Sequence, residues 1–159
     1  MTLWTCETFG TRLALDPTRL RADDSLIGFM PLRLGARLPQ DMATRLITRL
    51  TQGWITAWGP ATERPQSPLY EADGYWRGPI WAPTTMLLWD GLLRQGQDAK
   101  AAEIARRFCR LCETSGMAEN FDALSGAGLR DRAFAWTSAV YLLLSAWLAA
   151  RPSQGKNHA

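Results

Sequence analysis

Four stretches of this chain place apolar residues every third or fourth position between helix start and stop signals, and the alternation a strand needs is scarce. "LPQDMATRLITRLTQG" sets Met42, Leu46 and Leu50 on one stripe and stops at Gly53. After Pro83, "TTMLLWDGLLRQG" reads as a helix capped by a threonine and closed at Gly96. "DAKAAEIARRFCRLCETSG" runs from an Asp98 cap to Gly116, with Ala101, Ala105, Phe108 and Cys112 on the buried side and the arginines on the wet side. "DRAFAWTSAVYLLLSAWLAAR" is apolar almost all round, which predicts a helix buried between neighbours. The expected fold is all-α, built of antiparallel helical hairpins, over a domain at 1–151 with a flexible tail at 152–159.

Two connections are long for a compact helical domain. Residues 53–83 hold glycine, proline and aromatics with no helical period, and residues 116–131, "GMAENFDALSGAGLRD", are polar and glycine-rich. Loops of that length more often carry function than accident.

Composition removes several classes of function. The formal charge of +3 is carried almost entirely by arginines spread along the chain among acidic residues, with Lys100 and Lys156 the only lysines. A nucleic-acid surface needs a concentrated basic patch, and none is present. No segment reads as a signal peptide, and the longest apolar run, around "AVYLLLSAWLAA", is too short to span a membrane. Three cysteines make no disulfide framework and fit a reducing cytoplasm. Cys109 and Cys112 lie one helical turn apart, but a zinc site needs two more ligands and the sole histidine, His158, is in the tail. The expectation is therefore no metal and no cofactor, with general-base work falling to a carboxylate.

Two segments attract chemistry. Glu119 lies in the flexible loop "GMAENFDALSGAG", where a ligand could approach it; an exposed loop glutamate or a local cap would look the same. In "DGYWRGPIWAPTTMLLWDGL", Trp76, Trp81 and Trp89 could simply wedge helices together. Arg77 is awkward in a pure core, because a buried guanidinium needs a partner. An arginine flanked by aromatics suits a pocket that hydrogen-bonds a polyol and stacks on its apolar face. At this level both readings of the stretch stand.

The order "YWRGPIW", then a helix, then "ENFDALSGAG", then "FAWTSAVYLLL" resembles the C-terminal part of (α/α)6-barrel glycoside hydrolases of the family 63 type, including mannosylglycerate-hydrolase-like and glycogen-debranching-like proteins, with trehalases more distant. "DDSLIGFMPLRLG" and "WGPATERPQSPLYEADGYWRGPIW" resemble upstream blocks of the same group. The resemblance implies part of an (α/α)6 toroid and a saccharide ligand. It implies that Glu119 is the general base of an inverting hydrolysis, that Tyr75, Trp76, Arg77 and Trp81 line the sugar subsite, and that Trp136 closes it. Thr85 stands near a place where many relatives have asparagine, so one polar sugar contact is not carried over.

Inverting hydrolysis needs a second carboxylate as acid, about 6.5–9.5 Å from the base. In that group it lies far upstream in a segment like "SG.D.SPRW", which has no counterpart here; the candidates before the base are Asp73 and Asp90. The chain therefore reads as the base-bearing part of a barrel, weakly active or inactive alone, with a homodimer or a missing upstream part as its structural partner. The alternatives are a non-catalytic sugar-binding segment and a helical interaction module.

Overall fold

The helical punctuation becomes four α-helices preceded by a run of 3₁₀ turns. The computed structural model describes residues 24–151, together with two short strands that pair antiparallel, β1 (Thr5–Thr8) and β2 (Thr11–Ala14). The tail expected at 152–159, and His158 within it, lie outside the described residues. The helices are α1 (Gln40–Gly53), α2 (Ala82–Arg94), α3 (Asp98–Ser115) and α4 (Ala135–Ala149). The chain is mostly helical; a second small hairpin, β3 (Asn120–Phe121) with β4 (Gly128–Leu129), interrupts the connection between α3 and α4.

Leu26–Arg37 forms 3₁₀ turns, broken at Gly35, where φ is 56°. Its buried residues are Leu26, Phe29, Leu32 and Gly35, a spacing of three that matches three residues per turn. The Leu26, Phe29 and Leu32 side chains join Ala43, Ile47 and Leu50 of α1 and Leu88 and Leu92 of α2 in one apolar cluster. The buried stripe of α1 is thus Ala43–Ile47–Leu50, and Met42 of the expected stripe is turned outward. The helix is rotated by about one residue because it packs on the 3₁₀ segment, a neighbour that its own periodicity does not reveal.

At the start of α2 the expected threonine cap is replaced by Trp81 at the cap position, with no side-chain cap bond. Pro83 brings no N–H to the first turn, so one orphan donor is already gone. The hydroxyls of Thr84 and Thr85 instead donate back to the Trp81 carbonyl at 3.1 and 2.7 Å. In α3 the cap is Gln97, and Asp98 is the first helical residue, where its negative charge complements the helix dipole. Its four expected core residues are all buried.

α4 departs most from expectation. Only Thr137, Val140 and Leu144 are buried, while Trp136, Leu142 and Leu143 are 53, 66 and 42 % exposed. The helix packs on α2 and α3 with one side only. Its uniform hydrophobicity predicted burial all round, but burial needs a neighbour on each side, and the described residues supply one.

α2 is the centre, touching the 3₁₀ segment, α3 and α4. On its outer side Asp90 accepts from Arg33 Nε and Arg94 Nε, each at 2.8 Å. Burial alone would raise the Asp90 carboxyl, but these hydrogen bonds and the two positive charges outweigh it and hold the group below its ordinary value of 3.8. The carboxylate therefore stabilises the fold at neutral pH, and that contribution is lost as pH falls from the ordinary carboxylate value through the lower folded one. Asp90→Asn should flatten the fall in melting temperature below about pH 4; an unchanged acid limb would show that the Arg33–Asp90–Arg94 cluster contributes nothing.

Candidate active site

The aromatic stretch folds first as a closed turn. Glu71 N–H donates to Arg77 O at 2.8 Å, Gly74 N–H to Glu71 O at 3.0 Å, and Arg77 N–H to Gly74 O at 3.0 Å. Gly78 closes it with φ of 156°, and an added Cβ there would lie 2.0 Å from the Glu71 carbonyl oxygen. No other residue fits. Buried Thr62 holds the exit, donating to Pro79 O at 2.8 Å and accepting from Gly78 N–H at 3.1 Å.

Within this frame the aromatics divide. Trp81 is fully buried, and its indole N–H donates to Tyr75 O at 2.8 Å. Trp76 stacks on it with centroids 4.1 Å apart and planes 12° from parallel, and Tyr75 meets it edge-on at 4.9 Å. Tyr75 and Trp76 themselves are 45 and 41 % exposed. The stretch is therefore both core and surface: Trp81 is the support, and Tyr75 and Trp76 are the face it presents. Arg77 is exposed and bonded to the Glu71 carboxylate at 2.9 Å, so it lies in the wall with an exposed ion-pair partner. Trp89 is packed between the two apolar clusters, edge-on to Trp147.

Glu119 reaches the same region through backbone pairing. Ile80 N–H donates to Phe121 O at 2.7 Å, and Phe121 N–H returns to Ile80 O at 3.0 Å. Phe121 also pairs with Gly128 across the β3–β4 hairpin, so the wall and the loop of Glu119 share one small ladder. Glu119 N–H donates to Asp131 O at 2.7 Å. Its side chain is half-buried and has no bonded partner among the described residues.

The start of α4 is tied to this loop. Phe134 N–H donates to Met117 O at 2.8 Å, and Thr137 Oγ1 donates to Ala118 O at 2.6 Å, one residue before Glu119. Trp136 therefore projects from the first turn of α4 beside the Glu119 loop, half exposed and edge-on to Phe134. Asp122 organises the other end, accepting from Leu124 N–H at 2.9 Å, Ser125 Oγ at 2.6 Å and Tyr70 OH at 3.4 Å. Burial first, and then the Asp122 charge, push the Tyr70 phenol up to about 12.

The two upstream carboxylates weighed as the acid, and buried Glu63, are committed elsewhere. Asp90 is held ionised by two guanidiniums, which unsuits it for donating a proton. Asp73 is ion-paired with Arg130 at 2.7 Å. Buried Glu63 accepts from Ser67 Oγ at 2.6 Å. Thr85 is fully buried with its hydroxyl donated to the Trp81 carbonyl, so it offers no polar contact to a ligand. Among the described residues no group of three His, Cys, Asp or Glu gathers as a metal site. Burial raises the Cys109 and Cys112 thiols to about 11 and about 12, far from a reactive thiolate.

Two residues escaped the sequence reading. Asn120 is fully buried and neither polar atom of its amide meets a partner among the described residues. Arg130 sits at φ 63° with its guanidinium carbon 5.1 Å from the Tyr75 ring centroid. Asn120 was legible only as the residue beside Glu119; nothing in local pattern marked Arg130.

The aromatic segment and the loop of Glu119 are thus joined by the Ile80–Phe121 pair. The chain belongs to the mannosylglycerate hydrolase MGH1-like glycoside hydrolase domain family, whose sequence model matches residues 2–137. It is 32 % identical over 123 residues to a mannosylglycerate hydrolase of Selaginella moellendorffii, covering 76 % of this chain and 24 % of that protein. It is 30 % identical over 118 residues to the mannosylglycerate hydrolase of Thermus thermophilus, covering 72 % of this chain and 28 % of that one. Among solved structures, a GH63 mannosylglycerate hydrolase from Thermus thermophilus in complex with Tris superposes with a TM-score of 0.70 at 29 % identity, over 76 % of this chain and 29 % of that one. The same enzyme has been solved with glucose and with Tris and D-glycerate. Neutral trehalase from Saccharomyces cerevisiae shares the fold, with a TM-score of 0.62 at 21 % identity. The chain thus spans about a quarter of the length of the curated relatives it matches, and its helices form part of an (α/α)6 barrel.

The division of the wall predicts unequal effects of truncation. Trp81→Ala should cost roughly 3–5 kcal/mol of stability, whereas Trp76→Ala, which removes an exposed stacking partner, should cost only about 1 kcal/mol. Chemical denaturation of the two variants checks this, and equal losses would contradict the division.

Proposed function

We propose that this chain is the base-bearing segment of an inverting glycoside hydrolase. Glu119 takes a proton from a water that attacks the anomeric carbon, while the sugar's apolar face lies on Tyr75 and Trp76. Trp81 backs that platform, Arg77 supplies a polar contact at its edge, and Trp136 flanks the loop of the base. Two carboxylates and a water complete this chemistry without a cofactor. The observation that carries the reading is the Ile80–Phe121 pair, which joins the segment of the aromatic face to the loop of the unpartnered Glu119 carboxylate.

The substrate class is an α-linked glycoside; relatives named as mannosylglycerate hydrolases favour one whose aglycone is a small hydroxy acid. We assign the acid to chain outside residues 24–151; the two upstream candidates, Asp90 and Asp73, are bound by arginines. The uncovered side of α4, with Trp136, Leu142 and Leu143, supports the same reading. In a toroid both sides of a helix meet neighbours, here a second copy or further barrel chain. The buried free thiols Cys109 and Cys112 support a reducing, cytoplasmic setting. Among the described residues, no helix is long and apolar enough to cross a membrane.

The test combines the chain with the upstream part of a related barrel and follows release of sugar from α-mannosylglycerate. Hydrolysis should appear, and Glu119→Gln should lower it by about 10²–10⁴-fold while leaving glucose binding, read by tryptophan fluorescence, intact. Turnover unaffected by that substitution would remove Glu119 from the reaction. Glucose binding without any turnover would favour a non-catalytic saccharide-binding role.

A further inference from the structure

The only non-glycine residues with left-handed backbone among the described residues are Tyr75, at φ 58°, and Arg130, at φ 63°. They belong to different loops, yet they touch. A bulky side chain rarely adopts this conformation, and such residues persist only where surrounding contacts hold them.

Each conformation has a local cause. Leu129 pairs with Asn120 across β3–β4, and the next bond of that ladder runs from Glu119 N–H to Asp131 O at 2.7 Å. Arg130 and Asp131 together therefore face the single residue Glu119, which is a β-bulge with its first residue left-handed. A bulge re-aims its side chain, and here the guanidinium leaves the hairpin and crosses to the aromatic turn. Its carbon lies 5.1 Å from the Tyr75 ring centroid, within cation–π range. Its Nη2 donates to Asp73 Oδ1 at 2.7 Å and to Asp73 O at 3.4 Å. On the other side, the Trp81 indole N–H holds the Tyr75 carbonyl at 2.8 Å.

We propose that Arg130 is a positioning residue: it clasps Asp73 and the Tyr75 ring from the bulge opposite Glu119, and so holds the aromatic face in register with the base. An exposed ion pair alone would contribute little. The clasp differs because it acts on a residue that must otherwise relax out of the left-handed region, and relaxation would break the Trp81–Tyr75 hydrogen bond. Tyr75 is then a hinge held closed by a side chain from the other loop. The role in saccharide binding rests on the function proposed above; the mechanical role does not.

Arg130→Gly is the informative variant, because glycine keeps the left-handed bulge without strain and removes only the clasp. NMR exchange of the Trp81 indole proton reports the bond to Tyr75, and near-UV circular dichroism reports the Trp76–Trp81 stack. We expect Arg130→Gly to leave the melting temperature unchanged or raised, to speed indole exchange at least tenfold, and to weaken glucose binding by a similar factor. Arg130→Lys, which keeps the charge, should recover much of both. Indole exchange and dichroism unchanged in Arg130→Gly would overturn the clasp. Faster exchange in a protein whose wild type binds no glucose would keep the clasp and sink the saccharide reading. Faster exchange with unchanged glucose binding would overturn the positioning role.

Discussion

Two backbone hydrogen bonds between Ile80 and Phe121, at 2.7 and 3.0 Å, are the joint on which the site depends. Both residues are fully buried, and Phe121 meets Phe108 of α3 edge-on at 6.2 Å. The joint is therefore pinned to the core on both sides rather than hanging between loops. Tyr75, Trp76 and Trp81 lie within a few residues of Ile80 in one segment, and Glu119 and Asn120 directly precede Phe121 in the other. A carboxylate in a glycine-rich loop would ordinarily sample many positions; here its backbone is bonded to Asp131 and its neighbours are paired on two sides.

The same economy explains how the aromatics are used. A tryptophan that touches ligand gains from being held, and one that holds others must be buried. Trp81 takes the second role, bonded to the Tyr75 carbonyl and covered by Trp76, and so the exposed aromatics are backed by a buried ring although they lie on a loop. Gly78 makes this possible because the chain passes too close to the Glu71 carbonyl for any side chain. Packing energy is converted into placement of an exposed face, which is the usual requirement for preorganised binding.

Helix existence was readable wherever apolar periodicity was long and its stops were glycines, as in α3, where Ala101, Ala105, Phe108 and Cys112 are all buried. For the aromatic stretch the residues alone left core and binding face open, and the structure shows buried Trp81 beside half-exposed Tyr75 and Trp76. What local pattern could not carry was partnership. The turn of α1 toward Ala43 depends on a 3₁₀ segment whose period of three is easily overlooked. The exposed side of α4 depends on which neighbours exist, and hydrophobicity alone does not say. The left-handed Tyr75 and the bulge at Arg130 arise from hydrogen bonds between loops far apart in sequence. The resemblance groups Trp81 with the wall residues and does not distinguish a face from its backing; in the structure Trp81 is buried.

The central claim is that the aromatic face and Glu119 form one saccharide site rather than two neighbouring surfaces. Titrating the isotope-labelled chain with glucose and following the Trp76 indole and the Glu119 backbone amide by NMR tests it most directly. A single site predicts that both signals shift along one saturation curve with a common dissociation constant. Shifts confined to one of them, or two curves with different midpoints, would contradict it.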